Sequence, residues 1–216
     1  GNMFQSNQAY QQMLVITGGQ SSFLADYSLL FGIGLATIVG LVIIGGITSI
    51  ARVAAYIVPF MAGIYIVGCL IIISMSWQNI PLAIGTAVSG AFGTDAMAGG
   101  ALGAMIMGFQ RALFSNEAGL GSASIAHSAV KTREPASEGL VGLLEPFIDT
   151  VVVLTLSSLV ILTTAIPNGL MGGELSGIEV TSAAFGFHLP WSPYLIAFAA
   201  ILFAFSTALA WSYYGL

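Results

Sequence analysis

The chain has 216 residues, 57% hydrophobic and 6% charged, with four Lys and Arg against nine Asp and Glu. A soluble domain is about 25% charged, so this chain lacks the side chains to cover a water-facing surface, and an all-α polytopic membrane protein is expected. Four basic residues exclude a nucleic-acid-binding surface, and the single cysteine, Cys69, excludes an internal disulfide framework. Lying in an apolar run, Cys69 reads as a small core or lipid-facing hydrophobe.

Residues 1–13 read as the end of a helix. Asn2, Gln5, Asn7 and Gln8 give it a polar side, because Asn2 and Gln5, like Gln5 and Gln8, are i,i+3 neighbours. Such a stripe is unfavourable against lipid. It faces protein or a water-filled cavity, or the helix end emerges into water. A span needs about 20 apolar residues, and residues 29–50 and 53–75 qualify, the second with a kink expected at Pro59. Residues 79–130 are too long for one straight span and rich in Gly, Ala and Ser, which predicts an interrupted crossing over 80–128. Residues 147–166, with Asp149 near the start, and 191–214, bracketed by aromatics suited to the interface, complete the set. The stretches 15–27 and 167–190 are expected to be loops. The chain opens on Gly1 and closes on Leu216 directly after an apolar run, so an internal piece of a longer transporter-sized protein is expected.

Arg52 falls between two expected spans, and Lys131 and Arg133 lie two crossings later, hence on the same side. By the positive-inside rule that side is cytoplasmic.

Polar, helix-weakening residues within apolar sequence point to a site. Two breaks are candidates in the interrupted crossing. One is the glycine pair Gly99 and Gly100, preceded by Asp95; the other is 115–122, which holds Asn116, Glu117 and Ser122. A broken helix frees N–H groups for a carboxylate and carbonyls for sodium. Arg111, cheaper near the cytoplasmic end, favours Gly99 and Gly100 as the substrate-facing break, leaving Asn116 and Glu117 as inner-gate or packing residues; a plain cytoplasmic loop is the alternative. In the last span, the adjacent hydroxyls of Ser206 and Thr207 suit a sodium ion, or bond back to their own helix. Thr207 and Trp211 share a face. Thr155, Ser157 and Ser158 are weaker candidates of the same kind. His127 and His188 have no metal-ligand partner at usable spacing and read as interfacial hydrogen-bonding residues.

At this point the residues resemble a family. GFQRALFSNEAGLGS at 108–122 is similar to the signature of the alanine or glycine:cation symporters, the sodium:alanine symporter family. GNMFQSN at 1–7, GGITSIARV at 45–53, FIDT at 147–150, FST at 205–207 and WSYYG at 211–215 resemble its other segments in the same order. The resemblance implies a leucine-transporter-type fold, two inverted five-helix repeats with the site at their interface, of which this chain would be a fragment from core helix three to core helix eight. It implies Ser206 and Thr207 as sodium ligands, and Gln5, Gly99, Gly100, Thr207 and Trp211 around the substrate. The first core helix would lie outside this chain, so the fragment alone is not expected to transport.

The function this implies is sodium-coupled symport of alanine or glycine, by a multi-pass protein of a bacterial or archaeal cell membrane. Sodium is the coupling ion, no other cofactor is expected, and the partners are the amino acid, sodium and the lipid bilayer, with no nucleic acid. A carrier coupled to protons through Glu117 or Asp149, or uncoupled, is the alternative, followed by a channel or structural membrane subunit. An intramembrane serine protease built on Ser122 and His127 fails on geometry, since side chains five residues apart on a helix point about 140° apart. No enzymatic activity is expected.

Overall fold

A computed structural model describes residues 2–92, 101–170 and 175–215. Among them the regular elements are helices. They are α1 (Asn2–Thr17), α2 (Ser28–Ile43), α3 (Gly46–Met75), α4 (Ile80–Phe92), α5 (Ala101–Ser115), α6 (Glu117–Leu120), α7 (Ala123–Ser128), α8 (Pro135–Pro146), α9 (Thr155–Ala165), α10 (Ile178–His188) and α11 (Ser192–Tyr214), with a π-helical segment Phe147–Leu154 joining α8 to α9. Gly99 and Gly100 lie outside the described residues.

Among the described residues three helices are long and apolar enough to cross a membrane: Gly46–Met75 with 30 residues, the continuous Pro135–Ala165 with 31, and Ser192–Tyr214 with 23. At about 1.5 Å per residue each exceeds the roughly 30 Å hydrocarbon core. Large apolar side chains face outward along α2, α3 and α8, among them Leu29, Tyr56 and Leu140. Such a surface is tolerable where lipid or further helices cover it. The chain is an integral membrane protein.

Several helix bounds differ from the sequence expectation. The break expected near residues 51–52 falls at 44–45 instead. Gly46 adopts φ 68°, a left-handed conformation that interrupts a helix and costs little only for glycine. Arg52 therefore lies within α3, exposed, rather than in a connecting loop. The helix expected over 147–166 starts at Pro135, whose missing N–H is harmless in a first turn. Pro146 cannot donate to the carbonyl four residues back, and the next turn widens to π geometry around Asp149. The expected loop 167–190 contains α10.

Among the described residues two apolar clusters hold the helices together. Cys69 and Ile72 of α3, Val160 of α9, Ala184 and Phe185 of α10 and Ile196 of α11 form one. Cys69 is thus a core residue. Val39 of α2, Ile50 of α3, and Phe205 and Leu209 of α11 form the other. α11 belongs to both, and α1 packs more extensively on it than on any other element. Close approach at the first cluster depends on small residues: Phe185 sits over Gly68, where a Cβ would come within 3.2 Å of its ring. Tyr65 stacks on Phe185 with centroids 5.9 Å apart, and its hydroxyl pairs with Ser157 at 2.9 Å.

Candidate functional site

Part of the polar side of α1 packs against other helices. The Gln8 carbonyl accepts from the backbone N–H of Ile178 at 2.8 Å, satisfying an otherwise orphaned donor in the first turn of α10. One turn along, the Gln12 amide donates to Ser182 Oγ at 2.8 Å and to the Pro193 carbonyl at 3.0 Å. Gln12 is fully buried, so these bonds offset the cost of desolvating its amide. Lower on α1, Asn2 Oδ1 and Gln5 Oε1 are buried without a partner among the described residues. A buried amide carbonyl is an acceptor awaiting a donor or a cation. Within this stripe Asn2, Gln5 and Gln8 are half-buried, whereas Asn7 is exposed.

On α11, Ser206 and Thr207 point about 100° apart, as adjacent helical residues must. Ser206 Oγ donates to the Phe203 carbonyl at 3.1 Å and lies 3.9 Å from Met61 Sδ of α3. Its lone pairs remain free for a cation, but thioether sulfur is a soft neighbour that sodium does not seek. Thr207 and Trp211 are half-buried on a different side of the helix.

The break at 115–122 is built around Asn116. Asn116 leaves the helical region, with φ −136° and ψ 145°, and caps α6 by accepting from the Ala118 N–H at 2.8 Å. Asparagine is among the best N-caps. Its amide donates to Asp149 Oδ2 in the π segment, 3.4 Å away. The next residue, Glu117, accepts a hydrogen bond from the Tyr214 hydroxyl in the last turn of α11. Tyr214 in turn contacts Trp211 edge-on. The structure thus brings Asn116 to Asp149, and Glu117 to the end of the helix that carries Thr207 and Trp211. Gln5 sits on the facing helix, α1.

Some partners have no local sequence signal. His127 Nδ1 lies 2.5 Å from Glu138 Oε1 and Nε2 lies 3.6 Å from Glu145 Oε2. The two glutamates are seven residues apart on α8, one face of a helix, which is the pattern that could have found them. His188 Nε2 pairs with Ser76 Oγ at 2.6 Å, tying α10 to the end of α3. Both histidines are hydrogen-bonding residues, as read from the sequence. Ser122 Oγ is buried with no partner among the described residues, so no Ser122–His127 dyad exists. Gln12 and Tyr214 were not singled out by sequence reasoning. Thr155 and Ser158 line a groove of about 300 Å³ against α4, with Ile84 and Val88 opposite.

The sequence model of the sodium:alanine symporter family matches residues 1–216. The sodium/alanine symporter AgcS of Methanococcus maripaludis is 42% identical over the whole of this chain and 46% of its own length. The amino-acid carrier protein AlsT of Bacillus subtilis is 39% identical over 84% of this chain and 38% of its own length. An uncharacterized transporter, YaaJ of Escherichia coli, is 37% identical over 88% and 41% respectively. The chain spans less than half the length of these curated relatives.

Proposed function

The chain belongs to the sodium:alanine symporter family, and we propose on that premise that the whole protein is a sodium-coupled symporter of a small neutral amino acid, alanine or glycine. The family is one of transporters, not of enzymes. The match along all 216 residues carries the reading, and a relative named as a sodium/alanine symporter supports the substrate and the coupling ion. In this reading the chain runs from core helix three, α1, to core helix eight, α11, of a leucine-transporter-type fold. The interrupted crossing over 80–128 is core helix six. Arg52, Lys131 and Arg133 face the cytoplasm.

The residues divide the work as follows. Thr207, with Ser206, supplies hydroxyl oxygens to sodium, and the remaining ligands come from outside this chain. Gln5 offers its unpartnered carbonyl, an acceptor suited to the amino acid's ammonium. Trp211 and Thr207 form the side wall, and the backbone at Gly99 and Gly100 receives the carboxylate. Asn116 and Glu117 form the inner gate. Sodium favours the outward-open arrangement by binding it more tightly, and amino-acid binding then permits closure.

Alanine uptake by the full-length protein in proteoliposomes, with and without an inward sodium gradient, tests this. Sodium-driven uptake is expected, with Thr207→Ala raising the half-saturating sodium concentration about tenfold, the equivalent of about 1.4 kcal/mol. Equal uptake without a cation gradient sinks coupled symport. Unchanged sodium dependence in Thr207→Ala removes the ion assignment alone. One observation favours a second reading, proton coupling: Glu117 and Asp149 are half-buried carboxylates at the broken helix. Uptake driven by a pH gradient at zero sodium would move the assignment to them.

A further inference from the structure

Trp211 and Tyr214 are three residues apart on α11 and so share a face. Their rings meet in a T-shaped contact, with centroids 5.6 Å apart and planes at 67°. The Tyr214 hydroxyl then reaches off the helix to the Glu117 carboxylate. Glu117 opens α6, the short helix inside the break. The same turn is held on its other side by Asn116, bonded to Asp149. A continuous path of contacts therefore runs from Trp211 through Tyr214 to the broken helix. All three side chains are half-buried.

We propose that Tyr214 is a positioning residue that ties occupancy of the Trp211 side of the amino-acid site to the placement of segment 115–122. The proposal rests on the reading of Trp211 as a substrate-pocket residue. Edge-to-face rings have a preferred geometry, so a ligand that moves the Trp211 ring moves the Tyr214 ring or breaks the contact. A phenol–carboxylate bond is directional and charge-assisted, so a displaced phenol releases Glu117. The broken helix then has one placement with the bond made and another with it lost. Differential binding to two such arrangements is what a coupled carrier needs. A purely structural contact would weaken folding and binding together; a coupling contact separates binding from turnover.

The test uses the full-length protein in proteoliposomes as wild type, Tyr214→Phe, Glu117→Gln and the double variant. Tyr214→Phe keeps the ring and removes the donor. Its half-saturating alanine concentration is expected to stay within about twofold of wild type while maximal sodium-driven uptake falls about tenfold. Glu117→Gln retains an acceptor carbonyl and is expected to lose less. The double variant is expected to be no slower than Tyr214→Phe, because both changes remove one shared interaction. Wild-type maximal uptake in Tyr214→Phe overturns the proposal, as does a double variant in which the two losses multiply. Loss of alanine binding along with uptake in Tyr214→Phe also overturns it, since the residue would then serve the fold or the pocket itself. A wild-type protein without sodium-driven uptake overturns the transport reading and this inference with it. An active wild type confines any failure to Tyr214.

Discussion

The two ends of α11 are fastened by different chemistry. At its first turn the contacts are neutral: the Gln12 amide holds Ser182 and the Pro193 carbonyl, with Gln8 beside it on Ile178. At its last turn they are ionisable: Tyr214 on Glu117, beside Asn116 on Asp149. A buried neutral amide has no second protonation state, and removing it strands its partners, so the first end is a fixed joint. A carboxylate is better solvated by water than by one hydroxyl, so its bond is the easier of the two to exchange for solvent when the segment moves. The end that stays put and the end that gives way are thus distinguishable from bond chemistry alone.

Substitutions at the fixed end should cost stability more than transport. Gln12→Leu strands Ser182 Oγ and the Pro193 carbonyl, partly offset by removing the unpartnered Gln12 Oε1. A loss of about 3 kcal/mol is expected in detergent unfolding, with the half-saturating sodium concentration unchanged. A matching loss of transport at full folding would erase the contrast. Gly177 adopts φ 57°, and a Cβ there would collide with Gln8 Oε1. Gly177→Ala should cost about 2 kcal/mol, from the left-handed backbone and the displaced Gln8.

At the other end the balance should reverse. Asn116→Ala removes the N-cap of α6 and the link to Asp149, with an expected stability cost of about 1 kcal/mol and a larger drop in maximal uptake than Gln12→Leu causes in folded protein. Asp149→Asn should be the mildest. The bond it alters is 3.4 Å long, near the limit for a hydrogen bond, and a change under about 0.5 kcal/mol is expected. A larger effect would identify Asp149 as a charge that matters in its own right, which a pH-gradient uptake assay would then show.

Much of the helical layout was legible from apolar run length. The last span was expected at 191–214 and is Ser192–Tyr214, because Pro190 and Pro193 mark its start and its run is unbroken. Arg52 was misplaced because the apolar run continues through Gly45 and Gly46, so hydropathy does not register a break made by one left-handed glycine. α10 was missed because eleven residues between loops are too few to read as a span, and it is held by Gln8, Gln12 and Ser76, none of them near it in sequence. Within the site, Asn116 and Glu117 stood out as polar residues in apolar surroundings. Tyr214 did not, since an aromatic at a span end reads as an interface anchor, and only the third dimension turns its hydroxyl onto Glu117.

The π segment Phe147–Leu154 has a consequence for how this helix tolerates change. A π turn accommodates one residue more than an α turn, so it acts as a phase shifter between α8 and α9. Glu138 and Glu145 on one side and Ser157 and Val160 on the other cannot be drawn on a single helical wheel. Relaxing this segment to α geometry with every residue kept would rotate one half by roughly 100° against the other. The chain would keep its length, hydropathy and spans, yet His127 and Asn116 would face the wrong side of their partner helix. The widened turn after Pro146 therefore sets which way each half of the helix faces, whatever the side chains in between.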